Sequence, residues 1–551
     1  MALIKEIIKY MRVGFRARSF ARIGWGPIIK KDIRLWESEK SKAKNGKKVL
    51  IATSLGGYDS GAYLESILAV ALTLRGAETE ILLCDKSLPA CQMAKLARVK
   101  PTQFAEMGPS NFCGSCLASG LSIYKPLGLK IHLYSNHITE VQQTLARKIA
   151  QTVAFDEIST YKFDGLAVGE HAYAGALRYF ARGDLLGELE GEAVLRCYLE
   201  AAIRTVFVTR SLIKENNISV VVFHHGIYVP QGIIGEVCRH EGIRVVNSNP
   251  AYRKQTFIFS HNDTYHHTMI DEPVSTWEDI RWDASKKAKV LEYLSSRWYG
   301  TNDWIWFHEP PKHDINEIAA ELKIDFSRPT IGLLTSVMWD AQLHYRSNAF
   351  KNMIEWVMAT IRYFETRPDL QLLIRIHPAE VTGLVPSRQL MTTEISRHFP
   401  SIPKNVFIIK PESTIGTYAA MNQCDSVVIY NTKMGIELSA VGIPVVVAGE
   451  AWIRNKGFSI DITSPEQYVS VLDGLPLGRR MNDSQINRAQ KYAFHFFFRR
   501  MIDLRFIESE KKFEFKLAVD SIESLCAGHN SGLDCICSGI LDGTHFTMDT
   551  E

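Results

Sequence analysis

At 551 residues the chain exceeds the usual size of one domain, and two units of roughly 200–250 residues are expected. Its 46% hydrophobic and 23% charged residues exclude a disordered chain, and a net charge of +4 singles out no nucleic-acid or other strongly charged partner. No run approaches 18 uninterrupted apolar residues, which argues against a transmembrane helix, and ten cysteines in a chain this long do not make a disulfide framework.

The charge is unevenly spread. Residues 1–48 carry 14 Lys and Arg against 4 Asp and Glu. Within them Leu3, Ile4, Ile7, Ile8, Met11, Phe15 and Phe20 recur three and four apart, with Lys5, Lys9, Arg12, Arg16, Arg18 and Arg22 between. That spacing predicts a basic amphipathic helix, suited to an anionic membrane surface or docked on its own protein. Glu37 to Lys48 read as a polar linker, so residues 1–47 are taken as a basic N-terminal segment. With no apolar stretch and cleavage site at the N-terminus, a cytoplasmic location and reduced thiols are expected.

A first Rossmann-like unit is predicted over residues 48–320. Lys48-Val49-Leu50-Ile51-Ala52-Thr53 reads as a buried strand, followed by a loop with Gly56, Gly57 and Asp59 and a helix through Leu64, Ile67, Leu68 and Leu72. Glu80-Ile81-Leu82-Leu83-Cys84-Asp85 is the next strand, and the strand–helix–strand alternation points to a parallel, doubly wound sheet. It returns at residues 218–223, ending in His224-His225-Gly226, and at residues 244–247, with a helical stretch over residues 188–215. The hinge falls near residues 310–328, where Pro310-Pro311 interrupts a charged helical region.

The second unit, residues 321–485, opens with Thr330-Ile331-Gly332-Leu333-Leu334-Thr335 and a loop carrying Ser336 and Asp340. A helix near residues 350–364 precedes the strand Leu372-Leu373-Ile374-Arg375-Ile376, which ends in His377-Pro378-Ala379-Glu380. Ser426-Val427-Val428-Ile429-Tyr430 ends in Asn431-Thr432-Lys433, and Ile443-Pro444-Val445-Val446-Val447 runs into Gly449-Glu450. Beyond residue 486 an aromatic, basic helix could cross back to the first unit, followed by a tail without clear periodicity.

Polar and cationic residues therefore collect where three buried strands end, the edge at which open α/β sheets bind ligands. Proline restrains the turn after His377. The imidazole could donate to a phosphate oxygen, and Arg375, on the same side of the strand, could add a cation. Thr432 could cap the following helix, whose mouth could hold phosphate beside Lys433, while Glu437 in its first turn could reach ribose hydroxyls. In the first unit, Asp59 could deprotonate an acceptor hydroxyl, with Glu170, His171 and His225 as rivals and Gly56-Gly57 allowing close approach of a ligand. Ser336 and Asp340 face the same gap.

The series Arg375-Ile-His-Pro-Ala-Glu380, Tyr430-Asn-Thr-Lys-Met-Gly-Ile-Glu437 and Gly442-Ile-Pro-Val-Val-Val-Ala-Gly-Glu450 resembles bacterial capsule polysaccharide biosynthesis proteins. These are glycosyltransferases of the GT-B architecture, and their relatives include Kdo transferases of capsule export systems. The His-Pro element also looks like that of bacterial sialyltransferases and teichoic-acid glycerophosphotransferases. The resemblance implies two Rossmann-like domains facing a cleft. It implies that His377 contacts the donor phosphate, and that Thr432, Lys433 and Glu437 hold the nucleotide, with Glu450 beside them.

The expectation is a glycosyltransferase on the inner membrane face. It would move a sugar from a nucleotide-sugar donor, such as CMP-Kdo, to a glycan or lipid-linked acceptor without a metal for the transfer. Alternatives are a polyol-phosphate transferase using a cytidine diphosphate donor, a nucleotide-sugar epimerase, or a non-catalytic glycan-binding subunit of a capsule assembly complex. Separately, Cys113-Gly-Ser-Cys116 has the two-residue spacing of metal ligands, and with Cys84 and Cys91 could hold a structural zinc.

Overall fold

The computed structural model describes residues 24–548 except 305–310, 342, 344–347, 384, 479 and 512–513. The basic amphipathic stretch at residues 3–22 lies outside the described residues. Two sheets organise the chain. The first contains β1 (Lys48–Ser54), β2 (Glu78–Leu83), β3 (Lys130–Leu133), β4 (Val220–His224), β5 (Arg244–Pro250) and β6 (Thr256–His261). The second contains β7 (Thr330–Leu334), β8 (Gln371–Arg375), β9 (Val406–Ile409), β10 (Ser426–Ile429), β11 (Val445–Val447) and β12 (Ile460–Asp461). A two-residue strand, β13 (Ile502–Asp503), returns to pair antiparallel with β6.

The strand orders are β13-β6-β5-β4-β1-β2-β3 and β12-β11-β10-β7-β8-β9. β1 to β5 are mutually parallel, as are all six strands of the second sheet. In each sheet the chain winds outward, then crosses back beside its first strand, giving the doubly wound order with its switch point between β1 and β4 and between β7 and β10. The expected pair of Rossmann-like α/β units in GT-B arrangement is borne out.

Both sheets are buried on both faces, so their strands read as near-continuous apolar runs. In β1 the side chains alternate: Leu50 and Ala52 pack with the helices Val168–Phe180 and Gly191–Asn216, while Val49 and Ile51 face the helix Asp59–Thr73. In the second sheet Leu373, Val427 and Val447 face one side, and Leu372, Ile374 and Val446 pack against Trp356 and Ile361 on the other.

Three segments depart from the sequence expectation. The supposed linker is helical over Ile33–Ala43 and follows a short helix Trp25–Lys31. Trp25 and Trp36 are fully buried, and the Trp36 indole N–H donates to the Leu127 carbonyl at 2.9 Å. Helices from residue 265 onward contribute Met269, Trp277, Val290 and Ile318 to a core shared with the second sheet, ahead of the expected hinge. The aperiodic tail holds a helix, Ser531–Asp542, whose Asn530 side chain caps its N-terminus. The crossing helix is Asp483–Phe494, and a five-residue π turn, His495–Arg499, leads it back to β13. Among the described residues no helix is long and apolar enough to cross a membrane.

Candidate functional site

At the first sheet's switch point β1 and β4 end side by side. The Thr53 hydroxyl accepts from the His224 backbone N–H at 2.8 Å, and the His224 ring lies 3.0 Å from the Tyr58 hydroxyl. Ser54 (φ 58°), the last residue of β1, and His225 (φ 68°), just past β4, both occupy the left-handed region, which costs a side-chain-bearing residue energy and is met at ligand-binding turns. The turn lays the His225 ring against Tyr228, with centroids 5.0 Å apart, and 6.2 Å from the His266 ring. Burial holds both imidazoles down to about 3, so each is neutral near pH 7. Arg178 stacks on Tyr228 at 5.2 Å.

Asp59 starts the helix Asp59–Thr73 and is half-buried. Loss of solvent pushes its carboxyl up to about 6, partly opposed by Arg98. A carboxylate in that range is well matched to taking a proton near neutral pH.

At the second switch point the Ser336 hydroxyl donates to the Asn431 side-chain oxygen, linking the ends of β7 and β10. His377 follows β8. Its backbone N–H donates to the Thr335 hydroxyl at 3.0 Å, and Ala379 N–H donates to its Nδ1 at 3.1 Å. With Nδ1 accepting, the proton of a neutral ring sits on Nε2. The turn after β8 therefore fixes the tautomer of the His377 ring. Glu380 in the same turn is 1% exposed, accepts from Met391 N–H at 3.1 Å, and is pushed up to about 7 by burial.

The two edges meet across the gap. The Tyr228 hydroxyl donates to Asp340 Oδ1 at 2.9 Å and accepts from Ala341 N–H at 3.0 Å, so the loop after β7 docks on the turn after β4. Trp452, after β11, lies 5.7 Å from the His266 ring. His267 is desolvated, yet its pKa is raised by Asp263 and further by Glu450 and Glu170, which approach it from opposite units. Asp59, His225, Ser336, Asp340 and His377 thus follow strands β1, β4, β7 and β8, and the loops after β4 and β7 touch through Tyr228 and Asp340.

Other expectations are corrected. Arg375 is 1% exposed, and its guanidinium donates to the carbonyls of Lys410 at 2.5 Å and Ser413 at 3.4 Å. It braces the turn after β9 rather than offering a cation beside His377. Glu437 is 3% exposed and its pKa is held down at about 2: burial alone would raise it, but Arg297 and Lys433 outweigh that. Arg297 Nε lies 3.1 Å and Lys433 Nζ 2.8 Å from Oε1, and the Tyr418 hydroxyl donates to Oε2. Both oxygens are taken, so Glu437 does not extend toward a ribose, and Lys433 is held between it and the Tyr252 ring at 4.7 Å. The helix mouth expected at Thr432 is closed: Met434 N–H donates weakly to the Thr432 hydroxyl at 3.4 Å and Gly435 N–H to its carbonyl at 3.3 Å.

In the first unit a Cβ at Gly56 would lie 2.4 Å from the Cys116 carbonyl, so this glycine admits the helix Ser110–Tyr124, not a ligand. Gly57 N–H donates to Cys116 Sγ at 3.2 Å. His171 is buried with Nδ1 2.5 Å from the Ile227 carbonyl, pinning the turn after β4. The thiols of Cys84, Cys91, Cys113 and Cys116 share one neighbourhood, and burial pushes Cys84 up to about 12 and Cys113 up to about 11. Among the described residues no three His, Cys, Asp or Glu are grouped so as to hold a metal, so this quartet is a set of packed thiols rather than the expected zinc ligands. Sequence reasoning missed Arg178, Tyr228 and His266. Only Tyr228, three residues beyond His225 in a turn, left a local signal.

Residues 313–470 match the family of capsule polysaccharide biosynthesis proteins, a stretch that contains every residue carrying the resemblance read from the sequence. No curated protein matches the chain. Similar solved structures include the β-Kdo 2,4 transferase of KpsC from Thermosulfurimonas dismutans. It is 10% identical over 50% of this chain and 79% of that one, with a TM-score of 0.33. The β-Kdo 2,7 transferase of the same KpsC is 12% identical over 52% and 79%, with a TM-score of 0.30. A UDP-GlcNAc 2-epimerase from Neisseria meningitidis, bound to UDP-GlcNAc, is 12% identical over 53% and 80%, with a TM-score of 0.26.

Proposed function

We propose, from the capsule polysaccharide biosynthesis match over residues 313–470, that this protein is a glycosyltransferase of surface polysaccharide assembly. The donor nucleotide lies at the carboxyl ends of β8, β10 and β11, and a glycan or lipid-linked acceptor lies on the first unit. The observation that carries this reading is the His377 turn: a backbone amide donates to Nδ1, so the neutral ring carries its proton on Nε2, the tautomer that can donate to a leaving phosphate. Asp59 takes the proton of the acceptor hydroxyl. That oxygen bonds to the anomeric carbon, the bond from this carbon to the donor phosphate oxygen breaks, and the nucleotide departs with the electron pair. His377 and Ser336 border the departing group. The ion pair of Lys433 and Glu437 holds the start of the helix after β10, and Glu450 follows β11.

The basic stretch at residues 3–22 suits attachment to an anionic membrane surface near a lipid-linked acceptor.

The test is transfer of radiolabelled sugar from a panel of CMP-, UDP-, GDP- and dTDP-sugars to membrane extracts, followed over pH. His377→Ala should lower turnover by at least a hundredfold with an unchanged melting temperature. Wild-type turnover should rise through about pH 6 as Asp59 ionises, and Asp59→Asn should abolish that rise. Full turnover by His377→Ala would refute the assignment. Phosphorus in the new linkage would instead identify a polyol-phosphate transferase.

A further inference from the structure

We propose that a cleft between residues 277–282 and the helix Asp483–Phe494 is a second glycan-binding site, which holds a neutral sugar unit outside the gap between the two sheets. The choice of a sugar rests on the transferase reading above, while the cleft shares no residue with the site at His377. One wall is helical. Ser484, Asn487, Arg488 and Lys491 stand three and four apart and so share a face of that helix, while Ala489, Tyr492 and Ala493 are buried in the core. The other wall carries Trp277, Glu278 and Trp282. The cleft has a volume of about 340 Å³, at the lower end of small-molecule sites.

Direct contacts fix both walls. Trp277 is 1% exposed and its ring lies 5.1 Å from that of Tyr492, whose hydroxyl donates to the Trp452 carbonyl at 2.7 Å. The cleft therefore backs onto the loop after β11. Trp282 is half-buried, with its ring 5.9 Å from that of Phe494. The Arg488 guanidinium lies 5.0 Å over the Trp277 ring and donates through Nε to the Lys456 carbonyl at 2.7 Å. Lys491 Nζ donates to the Glu278 carbonyl at 2.6 Å. Both cations are tethered before a ligand arrives, which lowers the ordering cost of binding.

The indole nitrogens of Trp277 and Trp282 are buried, and neither has a hydrogen-bond partner among the described residues. A buried indole N–H ordinarily finds an acceptor, and leaving one unmet is costly. The exposed Ser484 and Asn487 add a hydroxyl and an amide, and the Glu278 carboxylate, 3.8 Å from Arg488 Nη2, adds acceptors. A matching ligand both accepts from N–H groups and donates to a carboxylate, as a sugar hydroxyl does. An anion meets repulsion from Glu278, and an apolar ligand leaves the polar groups unmet.

Fluorine NMR of the full chain labelled with 5-fluorotryptophan tests this, with the Trp282 resonance assigned from Trp282→Phe. Maltotriose, cellotriose and chitotriose are titrated as neutral glycans, and inorganic phosphate as an anion. At least one trisaccharide should shift the Trp282 resonance saturably, and phosphate should not. Asn487→Ala, a change at an exposed position, should weaken that trisaccharide about fivefold, the effect of one lost hydrogen bond, with an unchanged melting temperature. No shift by any trisaccharide, a shift by phosphate alone, or wild-type affinity in Asn487→Ala would overturn the site. A thermal shift by nucleotide on the same samples separates the two readings. If nucleotide stabilises the chain while no trisaccharide moves Trp282, the transferase reading stands and the cleft falls; the reverse result keeps the cleft and removes the transferase.

Discussion

Glu65 illustrates how far a single side chain can be removed from its solution behaviour. It is 1% exposed, accepts from the Thr53 hydroxyl, and burial pushes it up to about 8. Its folded-state value is above the ordinary one, so its stabilising contribution is complete below about pH 4.5 and is lost as pH rises through about 8. Glu65→Gln stays neutral throughout. The stability difference between variant and wild type should therefore move by about 3–5 kcal/mol in the variant's favour between pH 5 and pH 9, read from urea unfolding. A pH-independent difference would show that Glu65 ionises normally in the folded chain. The ion pairs of Glu437 were illegible for a related reason. Its local sequence is that of an ordinary first-turn glutamate, and Arg297, the partner that decides its role, comes from a distant helix. His377 was legible because a histidine between a buried strand and a proline has few places to go.

Secondary-structure elements were read in proportion to how strongly they are patterned. β1, β4, β7, β8, β10 and β11 are apolar runs bounded by glycine, proline or polar turns, and fall within a few residues of expectation. β3, with Lys130 and His132 among four residues, and the two-residue β12 and β13 carry too little pattern to be seen. The helix Ser531–Asp542 contains Gly532 and Gly539, poor helix formers, and exists because Leu533, Ile536 and Ile540 are buried against the first unit. Likewise Ile33–Ala43 has the composition of a linker, and its position is fixed by one tryptophan. Trp36→Ala should cost about 3–5 kcal/mol and should loosen residues 125–129, whose Leu127 carbonyl it binds. Hydrogen exchange at those amides checks this; wild-type protection there would mean the helix is only loosely appended.

The whole chain is two doubly wound sheets whose switch points face each other, tied at one side by β13 and at the other by the Tyr228–Asp340 contact. This architecture was readable from strand order, while the way residues 265–324 divide between the units was not, since helices that share a core with a distant sheet look local in sequence. The central claim is that a nucleotide seats on the edge built by His377, Asn431 and Glu450. Hydrogen–deuterium exchange with CMP, CDP, UDP, GDP and dTDP in turn tests it most directly. One nucleotide should slow exchange over residues 376–380, 430–437 and 449–453 together; no protection by any of the five, or protection confined to the first sheet, would contradict it.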